Sequence, residues 1–285
     1  MVNAPRLRRG VLALILSLCA ATALANLPHP ASVPGGIAVV SLAPVQAGMA
    51  PPRAWFNDRQ VLVTSRAGHW TALVGLPLDT KPGAHTLRAG PSKAQAHGVQ
   101  FAVTAKKYPE QRITLQDKGK VELSAEALAR VKREQSEISR YKNHWRATDA
   151  VDLEFAPPVE GPLSSRFGLR RFFNDQPRSP HSGLDFAAPK GTPVMAPSAG
   201  RVVGVGDFFF TGNAVYLDHG NGLISLYAHL DRVDVRAGDT LARGDLIGAV
   251  GKTGRATGPH LHWSIFMNGA AVDPELFLPT LTSQR

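Results

Sequence analysis

The sequence is poor in cysteine and in long apolar runs. Cys19 is its single cysteine among 285 residues. A single cysteine allows no disulfide bond within the chain, and the residues after Cys19 have no thiol. A metal ion bound by those residues would therefore need histidine and carboxylate ligands. The one long apolar run, Val11 to Leu18, is shorter than the roughly 20 residues that cross a bilayer. No later stretch is apolar enough for a membrane helix, so we expect no stable membrane insertion.

The first 25 residues have the pattern of a secretory signal peptide. Arg6, Arg8 and Arg9 precede the apolar run, and Ala23-Leu24-Ala25 follows it as a small-x-small cleavage site. We therefore predict cleavage after Ala25 and a periplasmic or secreted mature protein. An uncleaved anchor is the alternative, whereas Leu18 is too bulky before Cys19 for lipoprotein processing.

The chain is basic, with 32 Lys and Arg against 22 Asp and Glu. Three arginines and no acidic residue leave with the signal peptide, which lowers the net charge from +10 to +7. A basic exported protein suits a polyanionic partner. Export argues against nucleic acid, and the chain has neither a basic helix nor an aromatic-basic motif typical of nucleic-acid-binding modules. The cell wall or a membrane surface fits better.

Two β-rich regions flank one helical segment. Short apolar stretches separated by Gly, Pro, Asn and Asp predict a small N-terminal β-sandwich over residues 34–105. Ser124 can cap a helix over residues 124–145, which we interpret as a connector. Further short β-rich stretches predict an antiparallel, mostly β domain over residues 147–285; they run over 200–205, 214–218, 223–229, 246–250 and 260–267.

Four residues of the second β-rich region have the spacing of a metal site. His181 and Asp185 are four positions apart and share a face if they lie on a strand. His260 and His262 alternate with apolar residues, so their rings also share a strand face. His181, Asp185 and one of the two later histidines would supply three ligands and leave an open position. Two His and one carboxylate suit zinc but also iron, so the residues alone leave the metal open.

Several spaced motifs over about residues 161–278 resemble the lysostaphin-like, or LytM-type, zinc endopeptidases. The matching stretches are Ser164 to Gly168, His181 to Val194, Gly212 to Val215, Tyr227 to Leu230 and Gly258 to His262. The region from about Pro34 to Trp145 is similar to the β-sandwich and helix that precede the catalytic domain in Gram-negative members.

The resemblance implies a role for each histidine of the site. It implies that His181, Asp185 and His262 bind zinc and that His229 and His260 stand beside the metal as catalytic residues. Family members often carry Glu two residues past the last ligand, where this chain has Ser264, so its zinc affinity or rate can differ. His219 has the sequence context of a structural histidine.

The same resemblance places a substrate groove near Phe208-Phe209-Phe210 and Gly254-Arg255. We predict three exposed phenylalanines there, with Phe209 and Arg255 contacting substrate and Arg255 meeting a stem-peptide carboxylate. Tyr227 could also orient substrate, although a packed aromatic is the simpler interpretation.

The implied activity is hydrolysis of peptide cross-links in peptidoglycan, the expected partner. A wall-binding activator of an amidase and a secreted peptidase for Gly-rich substrates are the alternatives. An enzyme that cuts the wall of its own cell needs a regulatory partner, which no motif identifies.

Overall fold

The computed structural model describes residues 28–113, 123–149 and 151–279. The predicted signal peptide and Cys19 lie outside these residues. Within the described ranges, no helix is long and apolar enough to cross a membrane. The chain is mostly β-structure with antiparallel sheets, as predicted.

The N-terminal unit is a six-stranded antiparallel sheet in the order β1-β4-β3-β2-β5-β6. Its strands are β1 (Ile37–Pro44), β2 (Arg53–Phe56), β3 (Arg59–Arg66), β4 (His69–Gly75), β5 (Gly83–Gly90) and β6 (His97–Val103). β3 pairs with β2 through its first residues and with β4 through its later ones, so the sheet folds over itself there. The two halves enclose one apolar cluster, to which all six strands contribute.

One α-helix, α1 (Ala125–Lys142), follows the N-terminal unit. The side chain of Ser124 caps it by accepting from Ala127 N, as the sequence predicts. The helix ends at Lys142, with Asn143 as its C-cap, earlier than predicted, so Trp145 is not part of it. It is more than a connector, because Tyr141 and Ile138 pack against the large sheet of the C-terminal unit.

The C-terminal unit contains the remaining strands. A small three-stranded sheet joins β7 (Glu110–Ile113), β9 (Arg170–Phe173) and β10 (Gln176–Pro177). The large antiparallel sheet has the main order β16-β13-β14-β15-β18-β11-β8, with β12, β17 and β19 attached beside it. Its strands are β8 (Leu163–Ser165), β11 (Leu184–Ala187), β12 (Pro193–Met195), β13 (Gly200–Phe208), β14 (Gly212–Gly220), β15 (Leu223–Val233), β16 (Thr240–Leu241), β17 (Leu246–Val250), β18 (His260–Met267) and β19 (Ala270–Val272).

The two faces of the large sheet bury different clusters. Along β18, Leu261, Trp263 and Ile265 enter the main core, whereas Phe266 belongs to the cluster under α1. Because side chains alternate along a strand, His260 and His262 lie on the same face as Phe266. The histidines and α1 therefore share one face of the sheet.

The two units are packed against each other. The main core takes in Ile37, Leu62 and Leu73 from the N-terminal sheet. In the turn between β18 and β19, the Asn268 amide accepts from Gly75 N at 2.8 Å and donates to Gly75 O at 3.0 Å. A two-sided amide contact of this kind fixes the orientation of one unit on the other.

Candidate metal centre and active site

Two adjacent strands and one loop bring three potential ligands together. Asp185 on β11 lies directly opposite His262 on β18. His181 lies in the loop before β11 rather than on the strand, which differs from the prediction. Backbone hydrogen bonds hold that loop, from Gly168 N to His181 O and from His181 N to Leu169 O. The ring therefore reaches Asp185 through an anchored loop rather than through strand periodicity.

Close packing of β11 on β18 depends on Gly183. A Cβ at this position would overlap the carbonyl of Trp263 and lie 2.7 Å from Ser264 Oγ. Any larger residue would push His181 and Asp185 away from β18. Glycine in the His-Ser-Gly-Leu-Asp segment is thus a steric requirement of the site.

The three ligand atoms form a tight triangle. His181 Nε2 lies 3.0 Å from Asp185 Oδ1, His262 Nδ1 lies 2.9 Å from the same oxygen, and the two nitrogens are 3.1 Å apart. All three side chains are largely buried. Burial alone would raise the pKa of Asp185, but hydrogen bonds to and charge on the two histidines outweigh it and hold that pKa well below its usual range. The carboxylate is therefore ionised.

The outer nitrogens of the two ligand histidines have fixed partners. His181 Nδ1 donates to Arg166 O at 2.9 Å, and His262 Nε2 lies 2.8 Å from Ser264 Oγ. Burial lowers the pKa of His262, which favours the neutral ring. In a metal-bound form the protons of both rings would lie on the outer nitrogens, so that two nitrogen lone pairs and the carboxylate face the ion. This donor set fits a divalent cation, and these three residues form a group that could hold a metal ion.

Ser264 occupies the place where the resemblance implies Glu. It is fully buried, and its hydroxyl is the partner of the His262 ring away from the ligand cluster. Partners of this kind fix the tautomer and orientation of a metal-bound histidine. A shorter residue on the same strand face thus supplies the contact.

His229 and His260 stand beside the triangle. Their ring centroids are 4.7 Å apart, and the His229 ring is 6.1 Å from that of His262. His229 Nδ1 donates to Thr253 O at 2.8 Å, and His260 Nδ1 donates to Gly258 O at 2.9 Å, so in each ring Nε2 is the nitrogen left to face the site. Burial lowers the pKa of His229 to about 4, against a smaller opposing effect of the Thr253 hydrogen bond. The His229 ring is therefore neutral at neutral pH, with a lone pair on Nε2.

A bulge in β15 aims His229 at the site. Its backbone has φ +64°, a left-handed conformation that side-chain-bearing residues seldom adopt. Asn213 Nδ2 and Thr253 Oγ1 both donate to Leu230 O, the carbonyl that follows His229. These bonds hold a strained residue in place, as is typical of functional sites.

The residues predicted to contact substrate differ from one another in solvent exposure. Phe208 is buried under α1, Phe209 is half-buried, and Phe210 is 41% exposed, so one phenylalanine of three is exposed. Arg255 is exposed, its guanidinium 5.8 Å from the centre of the Phe210 ring. Tyr227 is fully buried and hydrogen-bonded to Ser225, so as a substrate contact it is a wrong prediction. It is a core residue, because the bulge at His229 breaks the alternation that would otherwise put both side chains on one face of β15.

Comparison with known proteins identifies the family. Residues 179–274 match peptidase family M23, and residues 30–106 match the N-terminal domain of the same family. A crystal structure assigned to peptidase M23 from Pseudomonas aeruginosa is 40% identical, with a TM-score of 0.73, and the match covers 88% of this chain and 96% of that one. The chain belongs to peptidase family M23. The resemblance stated from the sequence motifs is thereby confirmed.

Two curated relatives of this M23 member share part of its length. Peptidoglycan DD-endopeptidase ShyA of Vibrio cholerae is 42% identical over 112 residues, covering 39% of this chain and 26% of that protein. DD-carboxypeptidase/endopeptidase Mpg of Neisseria meningitidis is 43% identical over 125 residues, covering 44% of this chain and 29% of that protein. The matches thus span less than a third of each relative.

Proposed function

We propose that this M23 member is a zinc-dependent endopeptidase that hydrolyses peptide cross-links of peptidoglycan, in the periplasm or after secretion. One observation carries the proposal: an ionised carboxylate and two imidazole nitrogens converge within 3.1 Å of one another beside two further imidazoles. Metal ligation and proton transfer then have separate residues. Zinc metallopeptidases require both.

In this proposal His181, Asp185 and His262 hold zinc, and His229 and His260 are the catalytic residues. Bound zinc supplies Lewis-acid polarisation of the scissile carbonyl and a water of lowered pKa. His229 accepts the proton of the attacking water at Nε2, because its Nδ1–H is committed to Thr253 O. His260, held through Gly258 O, presents its own Nε2 to the reacting group and, when it carries a proton taken from solvent, donates a hydrogen bond to the developing oxyanion.

Peptidoglycan as substrate is supported by the relatives and by charge. ShyA is named a peptidoglycan DD-endopeptidase, and the Neisseria relative a DD-carboxypeptidase/endopeptidase. Stem peptides of peptidoglycan carry free carboxylates, and the chain without its predicted signal peptide has a net charge of +7. Exposed Arg255 beside Phe210 offers a cation next to an apolar surface at one edge of the site.

Digestion of purified Gram-negative sacculi, with products identified by mass, tests the proposal. Wild-type protein with zinc should convert cross-linked dimers to monomers, and metal analysis should find one zinc per chain. His229→Ala should keep the metal and lose about 100-fold or more in rate, since general-base catalysis contributes that much. Asp185→Asn should lose the metal itself. His219→Asn is the matched control, because His219 is a buried histidine of the same sheet outside the site.

The outcomes separate this proposal from its alternatives. Sacculi that remain cross-linked with zinc-loaded wild type, together with stimulation of an amidase, would favour the non-catalytic activator. Cleavage of a Gly-rich peptide without cleavage of sacculi would change the substrate class. Activity restored by iron but not by zinc would change the metal.

A further inference from the structure

Helix α1 lies outside both segments that match the family, 30–106 and 179–274, yet it docks beside the site. The Tyr141 ring packs 5.0 Å from that of Tyr216. Gly204 is necessary under it, since a Cβ there would lie 2.5 Å from the Tyr141 ring. The helix is thus seated on the sheet face that carries the histidines.

One carboxylate of α1 binds the turn between β13 and β14, residues 209–211. Glu134 Oε2 accepts from Phe209 N at 2.9 Å, and Oε1 accepts from Arg130 Nε at 2.6 Å. Arg130 also donates to Asp207 O at 3.0 Å. The Glu134 side chain is only 14% exposed, so water competes weakly for this charge-assisted bond.

The same turn holds His229. Thr211 O accepts from His229 N at 2.8 Å, and Phe210 O accepts from Arg255 N at 3.0 Å. The loop that carries Arg255 also supplies Thr253 O to the His229 ring. Gly212 allows the turn and this loop to touch, because a Cβ there would overlap Thr253 and Gly254. Backbone and ring of His229 are therefore both anchored to one unit, formed by the turn and residues 253–255.

We infer that Glu134 is a positioning residue for His229, acting through the turn at residues 209–211. The inference rests on the proposed function and extends the active site to a helix outside the family match. Without the Glu134 carboxylate, the turn loses its only hydrogen bond from α1 among the described residues, and His229 is left strained at φ +64° with a looser anchor. A misplacement of about 1 Å can cost about 100-fold in rate.

The test compares Glu134→Ala with Glu134→Gln and with Glu137→Ala. Gln keeps an oxygen for Phe209 N, and Glu137 is the matched control, because its carboxylate contacts only Tyr141 and Arg140 within the helix. We expect Glu134→Ala to lower kcat about 10- to 100-fold with KM changed much less, Glu134→Gln to restore most of it, and Glu137→Ala to match wild type.

Two readouts separate positioning from simple loss of stability. In a His229→Ala background, Glu134→Ala should cost nothing further, since residues that act through one another are not additive. The His229 and Phe209 amides should exchange with solvent faster in Glu134→Ala, measured by NMR on zinc-loaded protein. Additive losses, or unchanged exchange at His229, would overturn the inference. If wild type proves inactive, the proposed function fails, and the exchange measurement still decides the role of Glu134.

Discussion

Removal of the Ser264 hydroxyl should weaken metal binding without dismantling the fold. The Ser264 side chain is fully buried and lies 2.8 Å from His262 Nε2. In Ser264→Ala the Nε2–H group of His262, in its metal-binding tautomer, has no acceptor. Burial keeps water from taking the place of the lost hydroxyl. An unsatisfied buried donor costs about 1–3 kcal/mol. Loss of such a partner typically lowers metal affinity by about 10- to 100-fold.

Competition with a chelator of known zinc affinity measures this effect directly. We expect the zinc Kd of Ser264→Ala to rise by about 10- to 100-fold, which corresponds to about 1.4–2.7 kcal/mol. The control is Ser225→Ala. Ser225 lies on the neighbouring strand β15, and its fully buried hydroxyl is the hydrogen-bond partner of another histidine, His219. It should lower stability and leave the zinc Kd unchanged. Equal zinc affinity in Ser264→Ala and wild type would refute the reasoning, as would an equal loss in the control.

Two further predictions concern the fold around the site. Burial lowers the pKa of His219 to about 4, so the folded state favours its neutral form, and the resulting stabilisation is present above pH 6.5 and lost as pH falls toward 4. In urea titrations, wild type should lose about 2 kcal/mol more unfolding free energy than His219→Asn between about pH 7.5 and pH 5; parallel losses would contradict the assignment. Gly183→Ala should lower the unfolding free energy by about 1–3 kcal/mol through overpacking against Trp263. It should also weaken zinc binding. Unchanged zinc affinity would show that β11 can shift without moving the candidate ligands.

Strands with continuous apolar character could be predicted from the sequence, and weakly patterned ones could not. The predicted stretches 246–250 and 260–267 have the same bounds as β17 and β18. No apolar pattern in the sequence predicts β5 (Gly83–Gly90), because its residues are small, polar or exposed on one side. β7, β9 and β10 are not predicted because they are short, and because β7 is stabilised by pairing with β9 across a long sequence separation.

The candidate site divides in the same way. The side chains that would meet a metal or substrate are chemically distinctive, so spacing and motif resemblance pick them out. Their anchors include the carbonyls of Arg166, Thr253 and Gly258, and every residue type offers a carbonyl. Glu134 precedes its partner Phe209 by 75 positions and sits among other charged helix residues. The three phenylalanines at 208–210 were predicted to share one exposure, but packing under α1 separates them.

The side chains of the candidate metal site are anchored independently of a metal ion. Each histidine of the candidate ligand set has one nitrogen bound outside the cluster, and Asp185 lies within a strand paired on both sides. His229 and His260 are likewise fixed through Nδ1 to backbone carbonyls. The fold thus sets the orientation of these rings before any ion arrives, and little side-chain entropy remains to be lost on binding. Because those anchors come from the backbone and from one buried serine, we expect substitutions away from the five candidate site residues to change metal affinity without altering any candidate ligand.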